Sequence, residues 1–327
     1  MKQPLTAAVI GLGNISRVHL KALAAIEDIR LAAVVDVDRQ RVEAAAREYG
    51  AEPYSELTAM LEAVHPDYAV VCVPHGLHEA TTIETLRAGA HVLVEKPMAN
   101  NRHQCDAMMA AAQAAQRQIM VGYTWHYRAA LRETRRRLEA AGEPVLFGVT
   151  ELSYDFPKPE RPGWFFDVGL GGGSLLANGC HAIDWLRFGI GERAERVQAM
   201  VLNRPEGLAV DSLATAQIRF ASGAVGQMIC WGLKTVGSRT RFEFRTEHHA
   251  LAWGAEGLTH WHDGEAEPVA LEQGEDPFIT EHREFVTAIR TGREPAIRAA
   301  YGREINAIGD AMRESSAQGC EIEVDHG

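Results

Sequence analysis

The segment GGGSLLANGCHAID, residues 171–184, places three glycines, an amide, a thiol, an imidazole and a carboxylate ahead of an apolar helical run. Its histidine, His181, has the side chain of a proton-transfer group, a metal ligand or a hydrogen-bonded structural residue, and the segment alone leaves all three open. A second cluster is GLGNIS, residues 11–16, which follows an apolar run and opens a helical one, with Asp36 at the end of the next apolar run. That spacing is the dinucleotide-binding arrangement. Gly11 and Gly13 permit a tight turn and close approach of backbone to pyrophosphate, Asn14 and Ile15 lead into the helix N-terminus, and Asp36 stands where a ribose hydroxyl is held. Ser16 replaces the third glycine, whose task is helix–strand packing, and Asp36 has a second possible task as helix N-cap. Beyond the next strand, VPHGLHEA (73–80) puts Pro74 and His78 where ligands of open α/β sheets bind, unless His78 simply starts a helix. EKP (95–97) follows another strand. Lys96 there, between Glu95 and a proline open to the cis form, can contact nicotinamide or stabilise charge developing on a substrate oxygen.

The elements that position these residues follow from periodicity. Up to about residue 122, short β-branched runs (AAVI, LAAVVD, YAVVCV, HVLVE, IMVG) alternate with alanine-rich amphipathic segments, and their unbroken hydrophobicity predicts buried parallel strands. After a linking helix near 128–140 the texture changes to VLFGVTELSYDF, ERVQAMVL, SLATAQIRF, AVGQMICWGL, TRFEFRT and ALAWG, which reads as an antiparallel sheet. The expected fold is therefore α/β: a Rossmann domain over residues 1–122, then an α+β domain over 123–327 with an open, largely antiparallel sheet. The last helix is able to pack back on the first domain.

The 327-residue chain carries a net charge of −11, which argues against general nucleic-acid binding. The RRR run at 135–137 lies on a helical pattern and reads as a solvated face. The five cysteines are widely spaced, so neither a zinc site nor a disulfide framework is expected. The first apolar run is too short to span a membrane and lacks a signal-peptide pattern, so a soluble, cytoplasmic protein without a membrane partner is expected.

GLGNIS, VVDVD, PHGLH, VLVEKPMA and GGGSLLANGCHAID together resemble the successive motifs of the glucose–fructose oxidoreductase and myo-inositol dehydrogenase (Gfo/Idh/MocA) family, and TGREPAI extends the resemblance to the C-terminal part. The resemblance implies NAD(P)-dependent oxidation or reduction of sugars, polyols or related compounds, with Lys96 and His181 in the active site and the His181 helix facing the nicotinamide. It also implies a homo-oligomer, dimer or tetramer, formed through the C-terminal sheet. It places Tyr123, Trp125, His126, Arg128 and Trp164 among substrate contacts, as a wall for a sugar ring.

One departure stands out. Ala177 occupies the position where many relatives carry an aspartate, four residues before the histidine. Proton transfer by His181 must then proceed without that carboxylate. Asn178 and Asp184 each lie three residues from His181. Asn178 suits a substrate hydrogen bond; Asp184 suits either fixing the His181 tautomer or pairing with Arg187. Cys180 reads as a packed residue rather than a nucleophile.

The expected activity is hydride transfer between NAD and a carbohydrate-like alcohol or ketone. His181 serves as general acid–base and Lys96 stabilises the oxygen. The alternatives are a redox-assisted lyase or glycosidase that recycles NAD, and a non-catalytic NAD-binding sensor. NAD is expected over NADP because Asp36 would repel a 2′-phosphate. No metal is expected.

Overall fold

The computed structural model describes residues 3–154, 156, 161–204, 207–232 and 238–327. It forms two compact units. The first comprises Met1–Ala99, His103–Thr124 and Glu275–Arg303, the second Asn100–Arg102, Trp125–Gly274 and Glu304–Gly327.

In the first unit, strands β1 (Leu5–Ile10), β2 (Ile29–Val35), β3 (Glu52–Tyr54), β4 (Tyr68–Val71), β5 (His91–Glu95) and β6 (Ile119–Gly122) form a six-stranded sheet in the order β3-β2-β1-β4-β5-β6. Every pairing in it is parallel. The strands are apolar on both sides because helices cover both faces, and β4 and β6 are buried throughout. The order reverses between β1 and β4, so the loops at their C-terminal ends diverge and leave room for a ligand.

The connecting helices are α1 (Ser16–Ala24), α2 (Arg39–Tyr49), α3 (Leu57–Val64), α4 (His78–Arg87) and α5 (Arg102–Ala115). Helix α2 starts where the Asp38 carboxylate accepts from the backbone N–H groups of Gln40 and Arg41, and stops at Gly50. Late in the chain, α8 (Pro277–Thr291) packs against α1, opening with Asp276 as cap and Pro277 in its first turn. The free edge of β6 is covered by residues 297–298, through Val121 N–H to Ile297 O and a bridge between Met120 and Arg298.

The second unit is a nine-stranded sheet. Its strands are β7 (Phe147–Ser153), β8 (Ala194–Leu202), β9 (Leu213–Phe220), β10 (Val225–Trp231), β11 (Arg239–Arg245), β12 (His249–Gly254), β13 (Gly257–His262), β14 (Glu265–Val269) and β15 (Ile322–Glu323). Their order is β14-β13-β12-β11-β7-β10-β9-β8-β15, with one parallel pair, β7 with β10, and all other pairs antiparallel. Helix α7 (Cys180–Ile190) packs on that parallel pair, and the Thr150 hydroxyl of β7 donates to Ala182 O at 2.9 Å. Helix α6 (Ala129–Ala141) carries the arginine run, whose charges meet acids: Arg135 pairs with Glu139, Arg136 with Glu133, and Arg137 with Glu133 and Glu267. Helix α9 (Ala299–Gln318) closes the set. Among the described residues no helix is long and apolar enough to cross a membrane.

Strands β3, β13 and β14 have no counterpart in the sequence reading. Both β3 (EPY) and β14 (EAEPV) end their sheets, and both carry glutamate and proline. These residues have low strand propensity but suit an exposed edge, where a missing N–H costs no ladder bond and charge discourages pairing with other chains.

Candidate active site

The first unit gathers its candidate residues at the C-terminal ends of β1, β2, β4 and β5. Gly11 has φ +88°, and a Cβ there would lie 2.8 Å from the Cys72 carbonyl group, so only glycine closes this turn. A Cβ on Gly13, by contrast, would meet nothing within 4 Å, so its backbone faces open space. Helix α1 then begins at Ile15 with no side-chain cap and no acid in its first turn. Uncapped N–H groups behind a glycine turn fit a pyrophosphate. Ser16, buried in place of the third glycine, donates its hydroxyl to Gly13 O at 2.7 Å and so braces the turn.

Asp36 is not the N-cap of α2; Asp38 is. The Asp36 carboxylate instead accepts from Leu12 N–H at 2.6 Å and Asp38 N–H at 2.8 Å. These bonds tie it to the glycine turn and leave acceptor capacity for ribose hydroxyls. Pro74 leads into a short 3₁₀ turn, His75–Leu77. His78 turns inward: its ring nitrogens meet Pro97 O at 2.9 Å and Val73 O at 3.0 Å, and the residue is 1% exposed. Burial pushes its pKa down despite these carbonyls; the neutral ring donates its one N–H to one of them and packs against the other, between the β4 and β5 loops. Its side chain therefore shapes the two loops rather than facing a ligand. Glu95 is buried as well, accepting from Lys96 N–H at 3.0 Å, while Lys96 itself is partly exposed and joined to Pro97 by a cis peptide bond.

In the second unit His181 opens α7, partly exposed, with Nδ1 buried and its ring nearly parallel to that of Trp185. The segment before it, Leu175–Gly179, is a π-helical turn. Such turns are rare and concentrate at functional sites, and they break the four-residue face register assumed from sequence. The turn is anchored by Asp211, whose carboxylate accepts from Leu175 N–H at 2.6 Å. Gly173, at φ +87°, makes room for that carboxylate, since a Cβ there would overlap it.

The polar neighbours differ from those expected. The Tyr154 hydroxyl meets Ser174 Oγ at 2.9 Å, and burial pushes the Tyr154 pKa well up and keeps it protonated. Asp184 meets His126 Nε2 at 2.7 Å, and Arg187 pairs with Glu304 at 2.6 Å. His126, expected near substrate, thus pins the segment before α6 to α7. Tyr154 and Asp211 escaped the sequence reading because neither stands at a spacing that marks a motif.

Of the aromatic candidates, Tyr123 is fully buried, whereas Trp125 and Trp164 are partly exposed. Tyr123 belongs to the first unit, is fully buried and packs edge-on against Tyr301, so its side chain offers no surface to a ligand. Trp125 sits 4.5 Å from Trp185 and 5.6 Å from Trp253, with the Arg128 guanidinium 4.4 Å over its ring. Trp164 stacks on Phe165 at 3.9 Å. Among the described residues, no group of three or more His, Cys, Asp or Glu side chains is arranged to hold a metal ion.

Ala177 packs in an apolar cluster with Phe156 and Val210, bordered by Tyr154, Phe165 and Phe166. An aspartate there would enter hydrocarbon. Ala177→Asp is expected to destabilise the protein by about 3 kcal/mol, read from its denaturant midpoint. The buried carboxyl would keep a proton that the unfolded chain loses near pH ~3.9. The loss should therefore deepen as pH rises above about 4. An unchanged midpoint at neutral pH would refute this placement.

Comparison with known proteins agrees with the fold. Residues 5–123 match the family described as "Oxidoreductase family, NAD-binding Rossmann fold", and residues 131–252 match the "GFO/IDH/MocA C-terminal domain". Myo-inositol 2-dehydrogenase of Thermotoga maritima is 24% identical over 330 residues, covering 94% of this chain and 95% of the relative. Aldose-aldose oxidoreductase from Caulobacter crescentus, solved with glycerol, superposes with a TM-score of 0.90 at 24% identity, over 98% of this chain and 100% of that one. Levoglucosan dehydrogenase in complex with NADH superposes with a TM-score of 0.89 at 22% identity, over 99% of this chain and 100% of that one. With a glycine turn on an uncapped helix at the switch point of a parallel sheet, and both domain families matched in order, the chain belongs to the Gfo/Idh/MocA family of oxidoreductases with an NAD-binding Rossmann fold.

Proposed function

We propose that the protein is an NAD-dependent oxidoreductase acting on a sugar, polyol or inositol-like alcohol or ketone, with His181 as general acid–base and Lys96 stabilising the substrate oxygen. The observation that carries this reading is Lys96, partly exposed at the C-terminal end of β5, in the same sheet as the uncapped N-terminus of α1 behind Gly11. The names of relatives, inositol and levoglucosan dehydrogenases among them, support the substrate class.

Bound NAD supplies the hydride acceptor. Gly11 and Gly13 give the pyrophosphate close access to the N–H groups following Asn14 and Ile15, and Asp36 takes the ribose hydroxyls. Pro74 and the loop braced by His78 and Glu95 border the nicotinamide side. The Lys96 ammonium balances charge as the substrate hydroxyl becomes an alkoxide-like oxygen. His181 accepts the hydroxyl proton at Nε2, since Nδ1 is the buried nitrogen. Asn178 offers its amide to a neighbouring substrate hydroxyl.

The test is a panel of sugars, polyols, inositols and sugar acids with NAD or NADP, read at the absorbance of reduced nicotinamide. Net NADH formation with a panel member is the expected result. Substrate consumption without net NADH would mean a lyase or glycosidase with recycled NAD. Tight NAD binding without any turnover would mean a sensor.

Cofactor choice is expected to favour NAD. At about 4 Å, two like charges repel by about 4 kcal/mol at an effective dielectric near 20. Even after screening, catalytic efficiency with NAD should exceed that with NADP by at least about tenfold. Arg39 and Arg41 soften this penalty in part, Arg41 while paired with Asp38 at 3.1 Å. Asp36→Ser should narrow the gap and also weaken NAD itself, because Leu12 N–H loses its acceptor. Equal efficiency with the two cofactors would remove Asp36 from this role.

The open face of the second sheet suits a homo-oligomer, as dimer or tetramer: Met200 and Val225, 64% and 40% exposed, stand on one face through their pairing with Thr215 and Arg219.

A further inference from the structure

Inside the first unit, four polar side chains stand in line, of which the reaction just described uses only Glu95, as a brace of the β5 loop. His19 of α1, His282 of α8 and Tyr68 of β4 have no solvent exposure, and Glu95 at the end of β5 has 5%. Tyr68 OH lies 3.3 Å from His282 Nδ1, His282 Nε2 lies 3.1 Å from His19 Nδ1, and His19 Nε2 lies 3.0 Å from Glu95 Oε1. The other carboxylate oxygen of Glu95 accepts from the backbone N–H of Lys96 at 3.0 Å.

The direction of this chain follows from what each group can do. A carboxylate only accepts, so His19 Nε2 carries a proton. Neutral His282 carries a single ring proton, so it donates to one of its two neighbours, His19 Nδ1 or the Tyr68 hydroxyl, and accepts from the other. Glu95 accepts on both carboxylate oxygens, from His19 Nε2–H and from the Lys96 N–H. The other titratable groups around Glu95 leave it as the negative charge of the cluster. Burial keeps the Cys72 thiol and the Glu281 carboxyl protonated, and keeps His78 and His282 neutral. For Glu95, burial opposes the charge, but the His19 hydrogen bond, with help from Lys96, outweighs it and holds the pKa below the ordinary value. Gly122 of β6 leaves the space that the carboxylate fills, since a Cβ there would lie 3.3 Å from Glu95 Oε1.

We propose that His19 is a positioning residue for Lys96: backed by His282 and Tyr68, it holds the Glu95 carboxylate against the Lys96 backbone and so fixes the loop that presents the lysine. The proposal rests on the reading of Lys96 as the group that stabilises the substrate oxygen. A hydrophobic contact between α1 and α8 would join the helices equally well without aligning a carboxylate on one backbone N–H. Burying three polar side chains for that purpose makes sense only if the alignment matters.

The experiment compares wild type, His19→Leu, His19→Gln and Lys96→Ala, using NAD and the panel member that yields most NADH. A small misplacement of a reacting group costs about 100-fold. His19→Leu should lose turnover on that scale, with KM and the NAD dissociation constant nearly unchanged. Without its donor, the buried Glu95 carboxylate takes up a proton more easily, so the fall in turnover with decreasing pH should begin at higher pH in His19→Leu than in wild type, whose fall follows His181 alone. His19→Gln, whose amide N–H can replace Nε2–H, should recover most of the loss. If Lys96→Ala is inactive while His19→Leu keeps turnover within about threefold and an unaltered pH profile, the brace is overturned by itself. If Lys96→Ala retains turnover, the reading of Lys96 fails first and takes the brace with it. Should His19→Leu not fold, ¹⁵N-histidine-labelled wild-type protein decides: a directly bonded proton on His19 Nε2 is the expected signal, and a bare Nε2 overturns the arrangement.

Discussion

His181→Ala loses roughly 100- to 10,000-fold in turnover, the usual worth of a positioned general base. NAD affinity, followed by fluorescence titration, stays nearly intact, because the glycine turn and Asp36 lie in the first unit and His181 in the second. His181→Asn behaves in the same way: its amide can hydrogen-bond a substrate but cannot take the proton. In the wild-type enzyme the oxidative rate rises with pH as the imidazole loses its proton, and this limb disappears from the residual activity of either variant. The absence of a carboxylate at residue 177 sharpens the expectation. The neighbouring carboxylate that the structure does supply, Asp184, is engaged by His126. Near-normal turnover of His181→Ala on a true substrate would make His181 a structural histidine and remove the acid–base assignment.

Lys96→Ala is expected to lose about 100-fold in turnover, comparable to the loss of one oxyanion donor. The loss should appear in kcat more than in NAD binding, because the ammonium acts on charge that develops during the reaction. Glu95 and His78 remain to hold the β5 loop, so the cofactor site should survive the change. Turnover within about threefold of wild type would exclude Lys96 from the chemistry, since that is far below the effect of a lost oxyanion donor.

Much of this arrangement was legible along the chain. The unbroken apolar runs AAVI, YAVV and IMVG announce strands buried on both faces. Gly11 and the dinucleotide motif could be read because a sharp turn and a bare helix N-terminus are properties of consecutive residues. The placement of Lys96 at a strand end was legible for the same reason. The edge strands β3 and β14 were not, because their proline and glutamates suit an edge whose position only the assembled sheet defines.

The partners of the polar side chains were decided by tertiary structure alone. Sequence offered Asp184 to His181 or Arg187, but the fold brings it His126, fifty-eight residues away. It offered Asp36 as a cap, but the cap is Asp38, and Asp36 is drawn to Leu12 across the strand ends. It treated Ala177 and His181 as points on one regular helix, but the chain between Leu175 and Gly179 widens into a π turn around an apolar cluster. His19 and His282 lie 263 residues apart, and no local pattern connects them. The physical reason is common to all these cases. Backbone preference acts between neighbours and leaves a periodic trace, whereas a buried polar group takes whichever partner the packed chain brings within hydrogen-bond reach.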